Sequence, residues 1–420
     1  MKGFEAIMQQ MDLLKDKKIL LLVTGSIAAY KSIELASMLK KLGASLRVVM
    51  SDEAKKFISP LSFEAIIHTL VLHTQSEDWT HQDIEIACNH ISYATWADVA
   101  ILAPATANTI AKIACGVSDN LILSTLLACD KPKLIAPAMN TKMFEAIQTQ
   151  DAIHKLKDLG FEIIDPRVSI LACDTYGKGA MEEILEIVFR ILRSIGQNSF
   201  WKDKEVIITG GGSIESIDSV RYISNHSSGL QASYLAIALY VLGARVSLIS
   251  SIFPIELPSK IECLKVKTAT SYLQAIDAKT PSNGRAFLFM AAAISDYTPC
   301  NPSDAKLKKD TIGDFWEIQC QKNLDILKEI NSPNLFKIGF KAESDEKNAI
   351  SCAKKLLNSP EDGGKGCEVV CLNLIGKYNP FGSEENEMIF FSKNTTYHTG
   401  FKTKLNISFE IADFVQNLLC

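Results

Sequence analysis

The sequence lacks the marks of a metal scaffold, a membrane span or a nucleic-acid binder. Its eleven cysteines are scattered over 420 residues without one Cys-x-x-Cys pair. That excludes the commonest zinc spacings, and the odd count argues for reduced thiols rather than a disulfide framework. Lysine and arginine number 44 against 48 acids, for a net charge of −4. There is no basic field to hold a polynucleotide and no charged block that reads as a tail. No apolar run approaches the ~20 residues that cross a bilayer. One stretch, "KDKKILLLVTGSIAA" at 15–29, has the basic flank, apolar run and small residues of a signal peptide. Glu5 and Asp12 precede it and Thr24, Gly25 and Ser26 interrupt it, so the expectation is a cytoplasmic protein.

What is present is a large apolar fraction, 47%, in short runs that alternate with helical periodicity. Runs at 19–23, 46–50, 99–103 and 133–136 read as buried strands, with helices over 27–42 and 108–129 between them. Strands separated by helices imply a parallel, doubly wound sheet. The pattern then repeats. "KKILLLVTGSIAAYK" (17–31) is echoed by "DKEVIITGGGSIESID" (203–218), and "LKKLGASLRVVMS" (39–51) by "LYVLGARVSLISS" (239–251). The fold expected is therefore α/β, with two Rossmann-like domains and parallel sheets, over 17–192 and 201–420. The join is placed at 193–201, where Gly196, Gln197, Asn198 and Ser199 break the apolar pattern. The second copy is longer, 33 residues from Gly210 to Gly243 against 18 from Gly25 to Gly43. Its surplus holds a polar loop, "DSVRYISNHSSG" (218–229), at the end of a sheet where such folds bind ligands. Residues 1–16 have the pattern of a short amphipathic helix.

Several motifs carry chemistry. Gly25, Ser26 and Ile27 form a glycine turn between strand and helix, which frees backbone N–H groups for phosphate or merely permits tight packing. In "PATANT" (104–109), Pro104 stops a buried strand and Thr106, Ala107, Asn108 and Thr109 put small hydroxyl and amide groups at its carboxyl end. No G-x-G-x-x-G with a following acid occurs in this half, so these groups suit a flavin mononucleotide better than a nicotinamide dinucleotide. His90 precedes "ISYATWAD", and Asn140 ends "APAMN", where its amide can grip a carboxylate or cap a helix. Cys173 lies in "ILACDTYGKGAM" (170–181), beside Asp174 and Thr175 and just ahead of Gly177 and Gly179. A thiol in so polar and pliable a loop is unlike a buried structural cysteine.

Taken together, the Gly-Ser turn, the histidine before Trp-Ala-Asp, "PATANT", "PAMN" and "LACD…G.G.M" resemble the flavin-dependent cysteine decarboxylases, across about 17–190. The resemblance implies FMN bound by the Gly25 turn, Ser51, Thr106, Ala107, Asn108, Thr109 and Ala138. It implies His90 as the catalytic base, Asn140 orienting the substrate carboxylate, and Cys173 as proton donor on a flap. The flap departs from the family's pattern at Ile170, at Asp174 and Thr175, and at Ala180, where an arginine is usual.

The second half is similar to phosphopantothenate–cysteine ligases across about 203–420. The resemblance rests on "RYISNHSSG", "AAAISDY", "AKLKK", "NLDIL", "IGFKAES" and "FGSEEN", in the family's order. It implies that Asn225 and Arg221 handle an acyl-cytidylate. The CTP site would hold Met290, Ala291, Ala292, Asp296, Lys306, Leu324, Asp325, Ile326, Leu327, Phe340 and Lys354. Lys365 joins them if 358–364 is a loop insertion. Activating a carboxylate with a nucleotide gathers negative charge, which lysines and a divalent metal, here Mg2+, must offset. "KLKK" on its own would be a solvated patch. Leu230 and Gln231 replace the usual Lys-Met, and Leu324 replaces a proline. The expected substrates are 4′-phosphopantothenate, cysteine and CTP, with homo-oligomers built on decarboxylase trimers and ligase dimers. A non-catalytic FMN-binding regulator of the same fold is the alternative, although such proteins lose the histidine or the flap cysteine that this chain keeps.

Overall fold

The computed structural model describes residues 14–80, 87–308, 313, 315–376 and 382–420. The chain divides into two compact units, one ending at Gly196 and the other running Gln197–Cys420. Most of the expected helix at 1–16 lies outside the described residues.

The first unit is built on a five-stranded sheet of β1 Lys18–Val23, β2 Ser45–Met50, β3 Val99–Ala105, β4 Lys133–Pro137 and β5 Glu162–Ile163, in the order β2-β1-β3-β4-β5. All its pairings are parallel. Every residue of β3 is buried, as befits a strand covered by helices on both faces. The signal-like stretch supplies β1, paired on both sides. An isolated parallel bridge joins Val49 to Leu72 beyond β2. Chain order reverses between β1 and β3, the point where such sheets leave a crevice. The helix expected over 108–129 is two helices, Ala107–Ala114 and Leu121–Ala128. Gly116 adopts φ +71° between them, and Asn120 caps the second through Oδ1, accepting from Leu123 N at 3.1 Å. A positive-φ glycine followed by a capping side chain ends one helix and starts another. After β5 comes an antiparallel hairpin, β6 Arg167–Ile170 and β7 Tyr176–Ala180.

The expected join is only partly a linker. The helix Ile184–Gly196 runs through Arg193, and Trp201 is wholly buried in the second unit against Phe287 and Phe289.

The second unit is built on an eight-stranded sheet of β8 Glu205–Gly210, β9 Arg245–Ser250, β10 Glu262–Lys265, β11 Ala286–Met290, β12 Leu335–Glu343, β13 Val369–Leu374, β14 Met388–Phe391 and β15 Thr396–His398. Their order is β10-β9-β8-β11-β12-β13-β14-β15. Six pair in parallel as expected. The last two are antiparallel, a departure from the parallel sheet expected. The turn between β14 and β15, closed by Ser392 N donating to Thr395 O at 2.9 Å, is too short for a crossover helix and forces a hairpin. Gly43 and Gly243, at φ +86° and +107°, occupy equivalent Leu-Gly-Ala turns. Among the described residues no helix is long and apolar enough to cross a membrane.

Candidate active sites

The first site gathers at the carboxyl ends of β1 to β4. Thr24 fastens the two sides of the crevice, its Oγ1 donating to Pro104 O at 2.7 Å and accepting from Thr106 N at 3.2 Å. A Cβ on Gly25 would stand 2.4 Å from Glu53 Cβ, so the close approach of these two loops requires glycine. Ser26 Oγ accepts from Ala28 N at 3.3 Å, and Ser51 Oγ from Ala54 N at 3.1 Å. Thr106 caps the helix Ala107–Ala114, and its Oγ1 lies 3.0 Å from Thr109 Oγ1. Asn108 is exposed on that first turn, and Ala138 N donates to Ala105 O at 2.9 Å. The glycine cradle, the hydroxyls and the helix starts fit a phosphate and a polar ring edge.

His90 is the first residue of the helix His90–Trp96, positioned by Asn89, whose Oδ1 accepts from Ser92 N at 2.9 Å. Its Nδ1 lies 2.7 Å from Glu77 Oε1, and Trp79 meets the imidazole edge-on, with centroids 5.3 Å apart. A carboxylate only accepts, so Nδ1 carries the hydrogen and Nε2 is left to receive a proton. Neither Glu77 nor Trp79 was identifiable from sequence.

Asn140 both caps a helix and reaches the flap. Its Oδ1 accepts from Lys142 N at 2.9 Å, and its Nδ2 donates to Cys173 Sγ at 3.1 Å. Cys173 is exposed at the tip of the β6–β7 hairpin, with Thr175 Oγ1 at 3.0 Å. Asp174, at φ +59°, makes the turn. Hydrogen bonds from Thr175 first and Asn140 second hold the thiol below its ordinary range. The two flap glycines have a steric purpose. A Cβ on Gly179 would stand 2.2 Å from Met139 O, and one on Gly177 2.4 Å from Thr141 Oγ1. Their absence lets the hairpin lie against 139–141, where Met139 N donates to Gly179 O at 2.9 Å.

The second site is a cavity of about 1170 Å³ at the carboxyl ends of β11, β12 and β13. Asn225, Met290, Ala291, Ala292, Asp296, Leu324, Asp325, Ile326, Leu327, Phe340 and Lys365 all line it. Asn225 Nδ2 donates to Ile294 O at 3.0 Å, and Lys365 Nζ pairs with Asp325 Oδ1 at 3.0 Å. Buried Glu215 ties the wall together, its Oε1 accepting from Ala269 N at 2.9 Å and Asn323 Nδ2 at 3.0 Å.

Three of the anticipated residues are placed otherwise. Arg221 is off the cavity wall: it is paired with Asp218, donates to Leu307 O at 2.8 Å, and stacks on Trp316 at 4.2 Å. Asp218 also accepts from Leu307 N at 3.2 Å. The pair thus pins the loop bearing Lys306, which is itself exposed and away from the wall. Lys354 lies over the Phe391 ring at 5.6 Å, and its neighbour Lys355 faces the cavity instead. The start of "FGSEEN", Phe381, lies outside the described residues.

Two family models divide the chain between them. Residues 7–196 match the Flavoprotein family and 201–419 the DNA/pantothenate metabolism flavoprotein C-terminal domain. The class is thus a flavoprotein domain joined to a pantothenate-metabolism domain. A coenzyme A biosynthesis bifunctional protein CoaBC from Vibrio vulnificus is 34% identical over 97% of this chain and 100% of its own length. One of the same name from Bacillus subtilis is 34% identical over 95% and 96%. A solved PPC decarboxylase in complex with pantothenoylaminoethenethiol is 34% identical and covers 42% of this chain and 97% of its own, with a TM-score of 0.39. The chain belongs to the coenzyme A biosynthesis bifunctional proteins, enzymes with a decarboxylase and a ligase activity.

Proposed function

We propose that the first unit converts 4′-phosphopantothenoylcysteine to 4′-phosphopantetheine with FMN held at the carboxyl ends of β1 to β4. The second unit makes that substrate from 4′-phosphopantothenate, cysteine and CTP through an acyl-cytidylate. A bound flavin supplies a two-electron acceptor for the substrate thiol, which lets CO2 leave, and a hydride to reduce the enethiol that remains. His90 Nε2 takes the proton lost in the first step, while Glu77 holds the ring and balances the charge gained. Asn140 offers its amide N–H groups to the substrate carboxylate. Cys173 gives the last carbon its proton.

The observation that carries this reading is the 3.1 Å hydrogen bond from Asn140 Nδ2 to Cys173 Sγ. It supports the reading by joining an amide donor and an exposed thiol from segments 33 residues apart. Cys173→Ser is expected to retain FMN and release CO2 but to stop at the enethiol, read by mass spectrometry. In the wild type, the lowered thiol pKa removes the donor as pH rises, so reduction falls off at a lower pH than an unperturbed thiol would give. Normal thiol product from the serine variant at the wild-type rate would exclude Cys173 as donor.

In the ligase, Asp296 or Asp325 on the wall would hold Mg2+, an ion that takes few protein ligands and would offset the negative charge of the substrate phosphates. Arg221 acts by holding the Lys306 loop. Self-association as trimers and dimers is part of the same reading, and exposed Ile27 and Tyr30 beside the glycine turn, 58% and 59% accessible, favour a subunit contact there. The cytoplasm is the compartment that fits eleven unpaired cysteines.

A further inference from the structure

Lys337 lies in β12, is only 9% exposed, and stands off the wall of the ligase cavity. A buried ammonium must donate its hydrogens. This one gives them to two main-chain carbonyls, Lys365 O at 2.8 Å and Ile330 O at 3.3 Å. Both belong to segments that reach the cavity. Ile330 closes the short helix Ile326–Glu329, which lines the wall, and lysine is a common partner for the carbonyls left open at a helix end. Lys365 lies on the wall between Gly364 and Gly366. Its segment turns back on itself, Gly366 N donating to Asn358 O at 2.7 Å and Gly364 N to Ser359 O at 2.9 Å, with Gly366 at φ +63°. A residue between two glycines has little backbone restraint of its own. Lys365 is held from outside instead, its carbonyl by Lys337 and its ammonium by Asp325 Oδ1 at 3.0 Å. Asp325 and Ile330 flank the same short helix, so the loop is clamped to both ends of it.

We propose that Lys337 is a positioning residue of the ligase: its ammonium clamps the 358–366 segment to the end of Ile326–Glu329 and so keeps Lys365 on the cavity wall, where it meets the nucleotide. The two fastenings of Lys365 differ in kind. The Asp325 pair is partly exposed and binds the very charge that an anionic ligand attracts. The Lys337 clamp holds the main chain, so it persists when the Lys365 ammonium turns from Asp325 to a ligand. The inference rests on the ligase reading for the identity of that ligand, CTP.

The test titrates the full-length chain with CTP, as wild type, Lys337→Met, Lys365→Met and the double variant. Lys365→Met should bind CTP about tenfold more weakly or worse, the worth of a hydrogen bond to a charged group. Lys337→Met, which keeps the apolar stem, should bind it about three- to tenfold more weakly, as coupled neighbours do. In the ligase assay Lys337→Met should raise the KM for CTP while kcat and the KM for cysteine stay unchanged, the pattern of lost ground-state binding. The double variant should be no weaker than Lys365→Met, because Lys337 acts only through Lys365. Decarboxylation by the first unit should be unchanged. If Lys337→Met does not fold, Lys337→Gln, whose amide still donates to a carbonyl, enters the same cycle and should fall between wild type and Lys365→Met. Wild-type affinity in the Lys337 variant, or additive losses in the double variant, would overturn the proposal and leave the ligase reading standing. Unchanged CTP affinity in Lys365→Met would also overturn it, by removing Lys365 from the nucleotide. CTP binding that follows this cycle in a chain that ligates nothing would sink the ligase reading and leave the clamp standing.

Discussion

The two units open on the same plan and diverge at one place. In each, a buried strand runs through a glycine turn into a helix, then through a Leu-Gly-Ala turn into a parallel neighbour. In the first, the helix begins at Ala29, soon after Gly25, and the glycine turn presses against Glu53. In the second, the helix waits until Leu230, and the intervening chain folds back through the short pair of Glu215–Ser216 with Tyr222–Ile223. That loop places Asn225 against Ile294 and bridges Gly212 to Ala293, walling a cavity of about 1170 Å³. The same topology thus offers a shallow cradle or a deep cavity according to the length of chain between first strand and first helix. A second contrast follows. The groups proposed to react in the first site come from three separated segments, at His90, Asn140 and Cys173, whereas the anticipated residues of the second mostly line one cavity.

If the units are independent versions of one plan, damage to one should spare the other. The largest effect is expected of His90→Asn, which should slow anaerobic bleaching of the flavin by substrate about 10²- to 10⁴-fold without touching pyrophosphate release by the ligase. Unchanged bleaching would remove His90 from the mechanism. Next comes Gly179→Ala. Its Cβ would collide with the Met139 carbonyl and push the Cys173 hairpin off Asn140, costing about 10²-fold in decarboxylation, as ångström misplacements do. Flavin content should stay at one per chain, and equal loss of both activities would indicate misfolding instead. The smallest effect is expected from cutting the chain between Gly196 and Gln197. Each fragment should keep its own activity within about twofold if the units fold alone. Two insoluble halves would break the comparison.

Much of this was legible in the sequence, for physical reasons. Strands buried on both faces are written as apolar runs, so the sheets, the echo and the tight turn at Gly25 were accessible, whereas Gly179 reads only as pliability until its approach to Met139 is seen. The split at Gly116 was readable too, from the polar "GVSDN" (116–120), but periodicity on either side hid it. The antiparallel hairpin β14–β15 was not legible, because its strands differ from parallel ones only in how they are connected. Lys354 against Lys355 is a matter of helix phase, which one position decides. Arg221 enters the ligase site through the resemblance alone, and only packing shows that buried Asp218 holds its guanidinium. Glu77 gave no signal at all, since an acid in a polar loop looks solvated until packing is known.

The division of labour within the Asn140 side chain has a consequence for selectivity. With Oδ1 engaged by Lys142 N, the amide cannot turn over without uncapping its helix, so its N–H groups stay on the side of the thiol. One of those groups meets Cys173 and the second is left for whatever docks alongside. A carboxylate is welcome there, whereas an ammonium would bring its own hydrogens against a donor. On the proposed function that polarity would sort ligands before any bond is broken: an acid would dock in register with the thiol, and once it had lost CO2 the product would have nothing left for Asn140 to hold.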